Sequence, residues 1–220
     1  MKKIALLVLI ITAFTTSAAF GGANEIIEAS TAMVNEIASK SDASDMADSL
    51  RSSYAIALIP SMFKAGFGFG GSYGEGLILV NRNGKWYGPS FYNIGGPSFG
   101  FQIGAESVSL LLSVVNERGV RAFLNSKTKL GGDLAIAAGP LGRRAEAATD
   151  AQMKASIYSY SISKGLFAGL SLEGSVISIS VKHNSQYWGS KVTASDALAK
   201  PANDKRIQPL IKALNNLMGK

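Results

Sequence analysis

The chain of 220 residues carries 22 lysines and arginines against 15 acidic residues, one histidine and no cysteine, for a net charge of +7. Lacking thiols, it has no disulfide, thiolate nucleophile or cysteine-bound metal, and one histidine among scattered carboxylates gives no ligand cluster of familiar spacing. The length suffices for one domain to bury a core without cross-links, and the positive surplus favours anionic partners.

The chain opens with Met1-Lys2-Lys3, an apolar run from Ile4 to Phe14, and the small residues Thr15-Thr16-Ser17-Ala18-Ala19. A cationic start, a short greasy stretch and a small-x-small site predict a secretory signal peptide over residues 1–19, cleaved after Ala19, with Ala23 as a second choice. Losing Lys2 and Lys3 leaves 20 basic against 15 acidic residues, a surplus of five. This predicts an exported, periplasmic protein held peripherally at a membrane, without nucleic-acid partners. Having no lipobox cysteine, it is not expected to be a lipoprotein.

Residues 20–220 read as a single domain. From Ala23 to Lys40, Ile26, Ile27, Met33, Val34 and Ile37 recur at helical spacing, and a second short helix, capped by Ser41 or Asp42, runs through Leu50. Ile56 to Pro60 is a compact apolar run, and glycines become dense from Gly66 to Gly104. Gly76 to Val80 reads as a strand, Asn83-Gly84 as a two-residue hairpin turn and Lys85 to Ile94 as the return strand, because both central residues of a type I′ turn need positive φ. Ser107 to Val115 is a further strand, Glu117 to Asn125 a helical segment, and Asp133 to Ala138 a short buried strand. Ile157 to Ile162, Leu166 to Glu173 and Ile177 to Val181 alternate in the manner of an antiparallel meander, turning at Glu173-Gly174. Thr193 or Ser195 caps a short helix, and Pro209 to Met218 forms a last amphipathic one.

Helices at about 23–52, a β-rich core at about 55–190 and helices at about 193–218, with no βαβ rhythm, predict an α+β fold. Its centre is a curved antiparallel sheet or partial β-barrel flanked by N-terminal and C-terminal helices. Glycines suit the bends and bulges of such a sheet.

Three motif matches tempt. Gly66, Gly68 and Gly71 satisfy G-x-G-x-x-G, but a strand rather than a helix follows, which removes the phosphate-binding helix terminus the motif needs. Ser72 and Ser98 each sit in G-x-S-x-G, again without a following helix. A hydrolase would have to use His183, with Asp133 or Asp150, and His183 reads as an exposed polar residue near a strand end. No catalytic residue, metal ligand or cofactor is assigned, and the serine hydrolase stays as an alternative.

The remaining signal is cationic and aromatic. Arg143 and Arg144 follow the turn Gly139-Pro140-Leu141-Gly142, while Lys64, Lys85-Trp86-Tyr87 and Lys164 adjoin glycine turns. Lysine with tryptophan and tyrosine suits the headgroup level of a membrane. Lys64, Lys85, Trp86, Arg143, Arg144 and Lys164 are therefore the candidate lipid-binding residues.

The ordered series Lys64-Ala65-Gly66-Phe67, Gly70-Gly71, Gly74-x-Gly76, Trp86-x-x-Pro89-Ser90-Phe91, Gly95-Gly96 and Gly100-Phe101-Gln102-Ile103-Gly104-Ala105 resembles the SYLF domain, the Ysc-type domain of yeast actin-patch proteins. Gly139-Pro140-x-Gly142-Arg143, Tyr158-Ser159-Tyr160-Ser161, Lys164-Gly165-Leu166-Phe167-Ala168-Gly169, Leu172-Glu173-Gly174 and Tyr187-x-Gly189 continue it, so the resemblance spans about residues 24–200. It implies non-enzymatic lipid binding, in eukaryotic members at phosphoinositide-containing membranes with an amphipathic N-terminal helix and, in fungi, with actin. Bacterial members are small exported proteins, often lipoproteins. With an export signal, neither actin nor phosphoinositides are carried over, and the expected partner is anionic phospholipid at a membrane surface. An envelope structural or assembly protein that binds another protein is the other alternative.

Overall fold

The computed structural model of the chain describes residues 21–40, 43–139, 155–163, 166–169 and 172–219. Helices α1 (Ala23–Ala38) and α2 (Ala43–Arg51) lead into two long strands, β1 (Ala55–Arg82) and β2 (Lys85–Val114). They are joined by the Asn83-Gly84 turn, whose φ angles of 54° and 81° are the positive pair that the sequence predicts. The Asn81 side-chain oxygen accepts from the Gly84 N–H at 2.9 Å and locks the turn. From there the two strands pair antiparallel from Arg82↔Lys85 to Ala55↔Val114, with register shifts at Ile59/Met62, Gly66/Gly68 and Ile78/Val80.

β1 does not run straight. An extended chain rises about 3.3 Å per residue, so Leu58 and Gly76 would lie about 60 Å apart. Instead a Cβ on Gly76 would stand 2.2 Å from the Leu58 carbonyl oxygen, and one on Gly70 would stand 2.0 Å from that of Ala65. The Asn81 N–H also donates to the Tyr54 carbonyl at 2.9 Å. The strand therefore folds back on itself near residues 66–70, carrying β2 with it, and glycine is needed wherever the two halves cross without room for a side chain.

Both faces of this doubled ribbon are covered. Ile56, Leu58, Leu77, Leu79, Phe91 and Leu111 point to a core shared with Ile26, Val34 and Ile37 of α1. Their neighbours Ala55, Ala57, Ile59, Ile78, Tyr92, Leu110 and Leu112 point to a second core with Phe123 and Leu130. Hence Ile56 to Pro60 reads as a solid apolar run: alternation disappears when neither face meets water.

Short elements complete the sheet: α3 (Glu117–Ala122), β3 (Lys127–Lys129), β4 (Ile136–Ala138), β5 (Ile157–Ser163), β6 (Leu166–Gly169) and β7 (Val176–Ile179). The order is β3-β7-β2-β5-β4, with β1 paired to β2 and β6 to β5. The predicted meander is only half present. β5 and β6 form its hairpin, but β7 pairs with β2 and β3, and β4 joins β5 in parallel.

Three helices close the chain, α4 (Val181–Trp188), α5 (Ala194–Ala199) and α6 (Gln208–Leu217). Val181 begins α4 instead of ending a strand, because Ser180 acts as N-cap and its side chain accepts from the His183 N–H. α1 packs on α6 and β1, so its apolar face is internal. The fold is the predicted α+β arrangement of a curled sheet flanked by N-terminal and C-terminal helices. Among the described residues, no helix is long and apolar enough to cross a membrane. The leader expected over residues 1–19 lies outside the described residues.

Candidate anion-binding surface

The sequence-predicted site residues do not gather on one rim. Lys64 lies near the corner where β1 doubles back, directly opposite Glu106. Burial pushes its ammonium below the ordinary lysine value, against the upward pull of Glu106. Lys85 lies at the hairpin end of the ribbon, beside the Asn83-Gly84 turn and opposite Arg82, about 60 Å from Lys64 when measured along the strand. Trp86 is only 6 % exposed. Its indole N–H donates to the Asn215 side-chain oxygen at 2.9 Å, so the ring pins α6 to the sheet rather than facing outward. Arg143, Arg144 and Lys164 lie outside the described residues.

The catalytic alternative finds no support in the geometry. Ser72 lies inside β1 and Ser98 inside β2, not on strand-to-helix turns. The Ser72 hydroxyl donates to the Gly96 carbonyl at 3.2 Å. His183, expected on the surface, is 1 % exposed in the first turn of α4, where its Nδ1 meets the Ser180 hydroxyl at 2.9 Å. Among the described residues no group of three or more histidines, cysteines or carboxylates could hold a metal ion.

Around the hairpin turn the structure assembles a different set of side chains. A cleft of about 730 Å³ is lined by Arg51, Arg82 and Arg121, with Tyr54, Asn83 and the carboxylate of Glu117. Three separate pieces of chain meet there because the connector after α2 is stitched to both ends of the ribbon. The Tyr54 N–H donates to the Val114 carbonyl at 2.8 Å, and the Tyr54 carbonyl accepts from Asn81. α2 is anchored from below by hydroxyls: Ser53 meets Ser113 at 2.6 Å, and Tyr160 donates to Ser49 at 2.9 Å. α3 forms the far wall, its start capped by the Asn116 side chain, which accepts from the Gly119 N–H.

The arginines are held differently. Arg51 donates to the Met218 carbonyl at 2.7 Å and pairs with Asp48. The Arg82 guanidinium lies 4.7 Å from the centre of the Tyr87 ring, and no ion pair of Arg82 occurs among the described residues. Arg121 reaches Glu117 at 3.9 Å, a loose and exposed pair. Lys85 adds a fourth cation, directly opposite Arg82 in the register. Like charges directly across a strand pair are destabilising. This pair sits beside the two-residue turn, and among the described residues neither Arg82 nor Lys85 forms an ion pair with a carboxylate.

Lys85 belongs to the set the sequence singled out; Arg51, Arg82 and Arg121 do not. Arg82 flanks the same Asn-Gly turn as Lys85, which was signal enough to find it. Arg51 and Arg121 join only through the doubling of β1 and the docking of α3.

The class the structure defines is a curled α+β domain with an open cationic cleft at its hairpin turn, in which Ser72 and His183 are engaged in internal hydrogen bonds. The chain belongs to the Ysc84 family, described as Las17-binding protein actin regulator, whose model matches residues 95–217. It is 41 % identical over 165 residues to an SH3 domain-containing protein of Schizosaccharomyces pombe, covering 72 % of this chain and 38 % of that protein. Protein YSC84 of Saccharomyces cerevisiae is 36 % identical over 176 residues, 76 % of this chain and 36 % of that protein. The SH3 domain-containing YSC84-like protein 1 of Xenopus laevis is 40 % identical over 131 residues, 59 % of this chain and 39 % of that protein. The chain thus spans well under half the length of these relatives, and the family description names a binding protein and regulator.

These relatives overturn the exported, periplasmic location predicted from the N-terminal residues. They are proteins of yeasts and a vertebrate in a family described as an actin regulator, and actin belongs to the interior of eukaryotic cells, not to a bacterial envelope.

Proposed function

We propose that this chain is a non-enzymatic docking domain that binds anionic phospholipid reversibly through the cations around its hairpin turn. The observation that carries this reading is the convergence of Arg51, Arg82 and Arg121 on one cleft with Lys85 beside it, against a single lining carboxylate. Cations near a negatively charged membrane contribute roughly 1 kcal/mol each, so Arg82 and Lys85, with Arg51 and Arg121 partly offset by Asp48 and Glu117, support a weak, reversible attachment that salt weakens further. Lys64, remote from this cluster, is assigned no part in it, and Trp86 acts by holding α6.

Vesicle co-flotation of the full chain tests the reading. Vesicles containing phosphatidylglycerol should carry the protein at low salt and release it at high salt, while phosphatidylcholine vesicles should not carry it. Reversing two charges, Arg82→Glu with Lys85→Glu, should abolish flotation without lowering the melting temperature. Failure to float on anionic vesicles at low salt refutes the proposal.

A protein partner is a second reading, favoured by the family description as a Las17-binding actin regulator. Retention of purified Las17 by the immobilised chain supports it, and absence of retention at low salt removes it.

A further inference from the structure

The cleft beside the hairpin turn is more than a charged surface. Its volume of about 730 Å³ falls within the range of small-molecule sites. Its three arginines come from three separate elements, the end of α2, the end of β1 and the last turn of α3. Guanidinium groups present planar forks of N–H donors that match the oxygens of a phosphate, and they stay charged at any physiological pH.

Two of the three are held in place before any ligand arrives. Arg51 is tied to the Met218 carbonyl and to Asp48, and Arg82 lies against the Tyr87 ring. A fork that is already positioned loses less rotamer freedom on binding. Arg121 is the adjustable one, since its 3.9 Å contact with Glu117 is at the limit of an ion pair and both side chains face solvent. Tyr54, 49 % exposed, and the Asn83 amide stand on the rim as neutral groups able to donate.

From this arrangement we infer that the cleft is a phosphate-monoester site: it takes a terminal phosphate group, from a lipid such as phosphatidic acid or from a soluble phosphate ester. A terminal phosphate offers three oxygens and carries close to two negative charges at neutral pH. A phosphodiester offers two free oxygens and one charge. Three arginines from three elements lining one recess fit the first, whereas a phosphodiester headgroup layer meets only the cations on the outer edge. This specifies the docking site proposed above and rests on that reading only for the lipid source of the phosphate.

The test separates the two ideas. Full-chain protein is floated with vesicles of equal negative charge containing either phosphatidic acid or phosphatidylglycerol, and glycerol 3-phosphate is titrated calorimetrically in parallel. The site predicts tighter attachment to phosphatidic acid and measurable binding of glycerol 3-phosphate. Arg82→Gln and Arg121→Gln should each weaken both about tenfold, as expected for loss of one charge-assisted hydrogen-bonding group, with phosphatidylglycerol attachment changed less. Unchanged circular dichroism and melting temperature establish that the variants are folded, and Arg82→Lys should rescue only in part because a lysine lacks the fork. Equal attachment to both lipids, unaffected by either glutamine variant, overturns the inference and leaves the docking function standing. Binding of glycerol 3-phosphate with no attachment to any vesicle upholds the cleft as a soluble-phosphate site and removes the membrane reading. No binding of glycerol 3-phosphate together with no preference for phosphatidic acid overturns the site altogether.

Discussion

Replacing Gly76 with alanine tests the most unusual feature of the fold. The added methyl would stand 2.2 Å from the Leu58 carbonyl oxygen and 3.1 Å from the end of the Tyr92 ring. Relieving the closer contact needs a separation of about 1 Å between two backbone segments that are each paired elsewhere in the sheet, and overpacking of this kind costs about 3 kcal/mol. For a chain of this size that lowers Tm by about 6–12 °C. Gly71→Ala is the internal control. It lies five positions earlier in the same strand, but a Cβ there meets nothing within 4 Å. Its effect should stay within about 1 kcal/mol of the parent, in either direction. Both variants are read by thermal melting and by urea denaturation followed by circular dichroism. If the two variants melt together, the first half of β1 does not lie against the second, and the doubled ribbon is refuted.

Asn184→Leu should destabilise the protein by about 2–4 kcal/mol in urea denaturation. The amide it removes accepts from the Phe91 N–H and donates to the Phe91 and Ser180 carbonyls. Those carbonyls keep backbone partners, but the buried Phe91 N–H loses its acceptor; a loss below about 1 kcal/mol counts against the clamp. Tyr73 is pushed up to about 12, first by burial and then by its hydrogen bond to Glu75 and that carboxylate's charge. A folded value above the unfolded value of 10.0 means that its contribution is complete below pH 10 and is lost as the pH rises towards 12. Melting temperatures measured across that window should fall less steeply for Tyr73→Phe than for the parent, and identical slopes would show that this tyrosine does not couple to folding. Tyr187, also raised to about 12, keeps part of the slope in either protein.

Much of the architecture is legible in the sequence because it depends on local chemistry. Asn83-Gly84 announces its turn through the positive φ that both positions require, Thr193 its helix through a side chain that accepts from the Asp196 N–H, and the heptad-like spacing of Ile26 to Ile37 its buried helical face. What escapes is set by distant contact. Nothing between Gly66 and Gly71 distinguishes a strand that bends from one that reverses; only the approach of Leu58 to Gly76 decides it. Val181, 61 % exposed, completes an alternating apolar pattern with Ile177 and Ile179, and the capping hydroxyl of Ser180 wins over that pattern. His183 follows the same error, read as a surface residue because its strand was extended too far.

The proposed binding surface is legible only in its turn-borne half. Lys85 is visible because it neighbours an Asn-Gly pair, but Trp86, chosen for its amphipathic ring, uses its polar end to bond Asn215 and its apolar body to fill the core. Arg51 and Arg121 carry no signal of their own: each lies on a short helix, and each looks like an ordinary solvated charge until the chain has folded. An N-terminal greasy segment, by contrast, forms a strong local pattern for export, and the location it predicts is contradicted by relatives from yeasts and a vertebrate in a family described as an actin regulator.

The ribbon formed by β1 and β2 begins and ends at one spot, since Ala55 and Val114 are paired with each other. Everything between them is an excursion that departs from and returns to a single doorway in the domain. Adding or removing matched residue pairs at its far corner would therefore lengthen or shorten the projection while leaving the doorway, and all that is built around it, in place. Such a segment can diverge in reach among proteins that keep the same body.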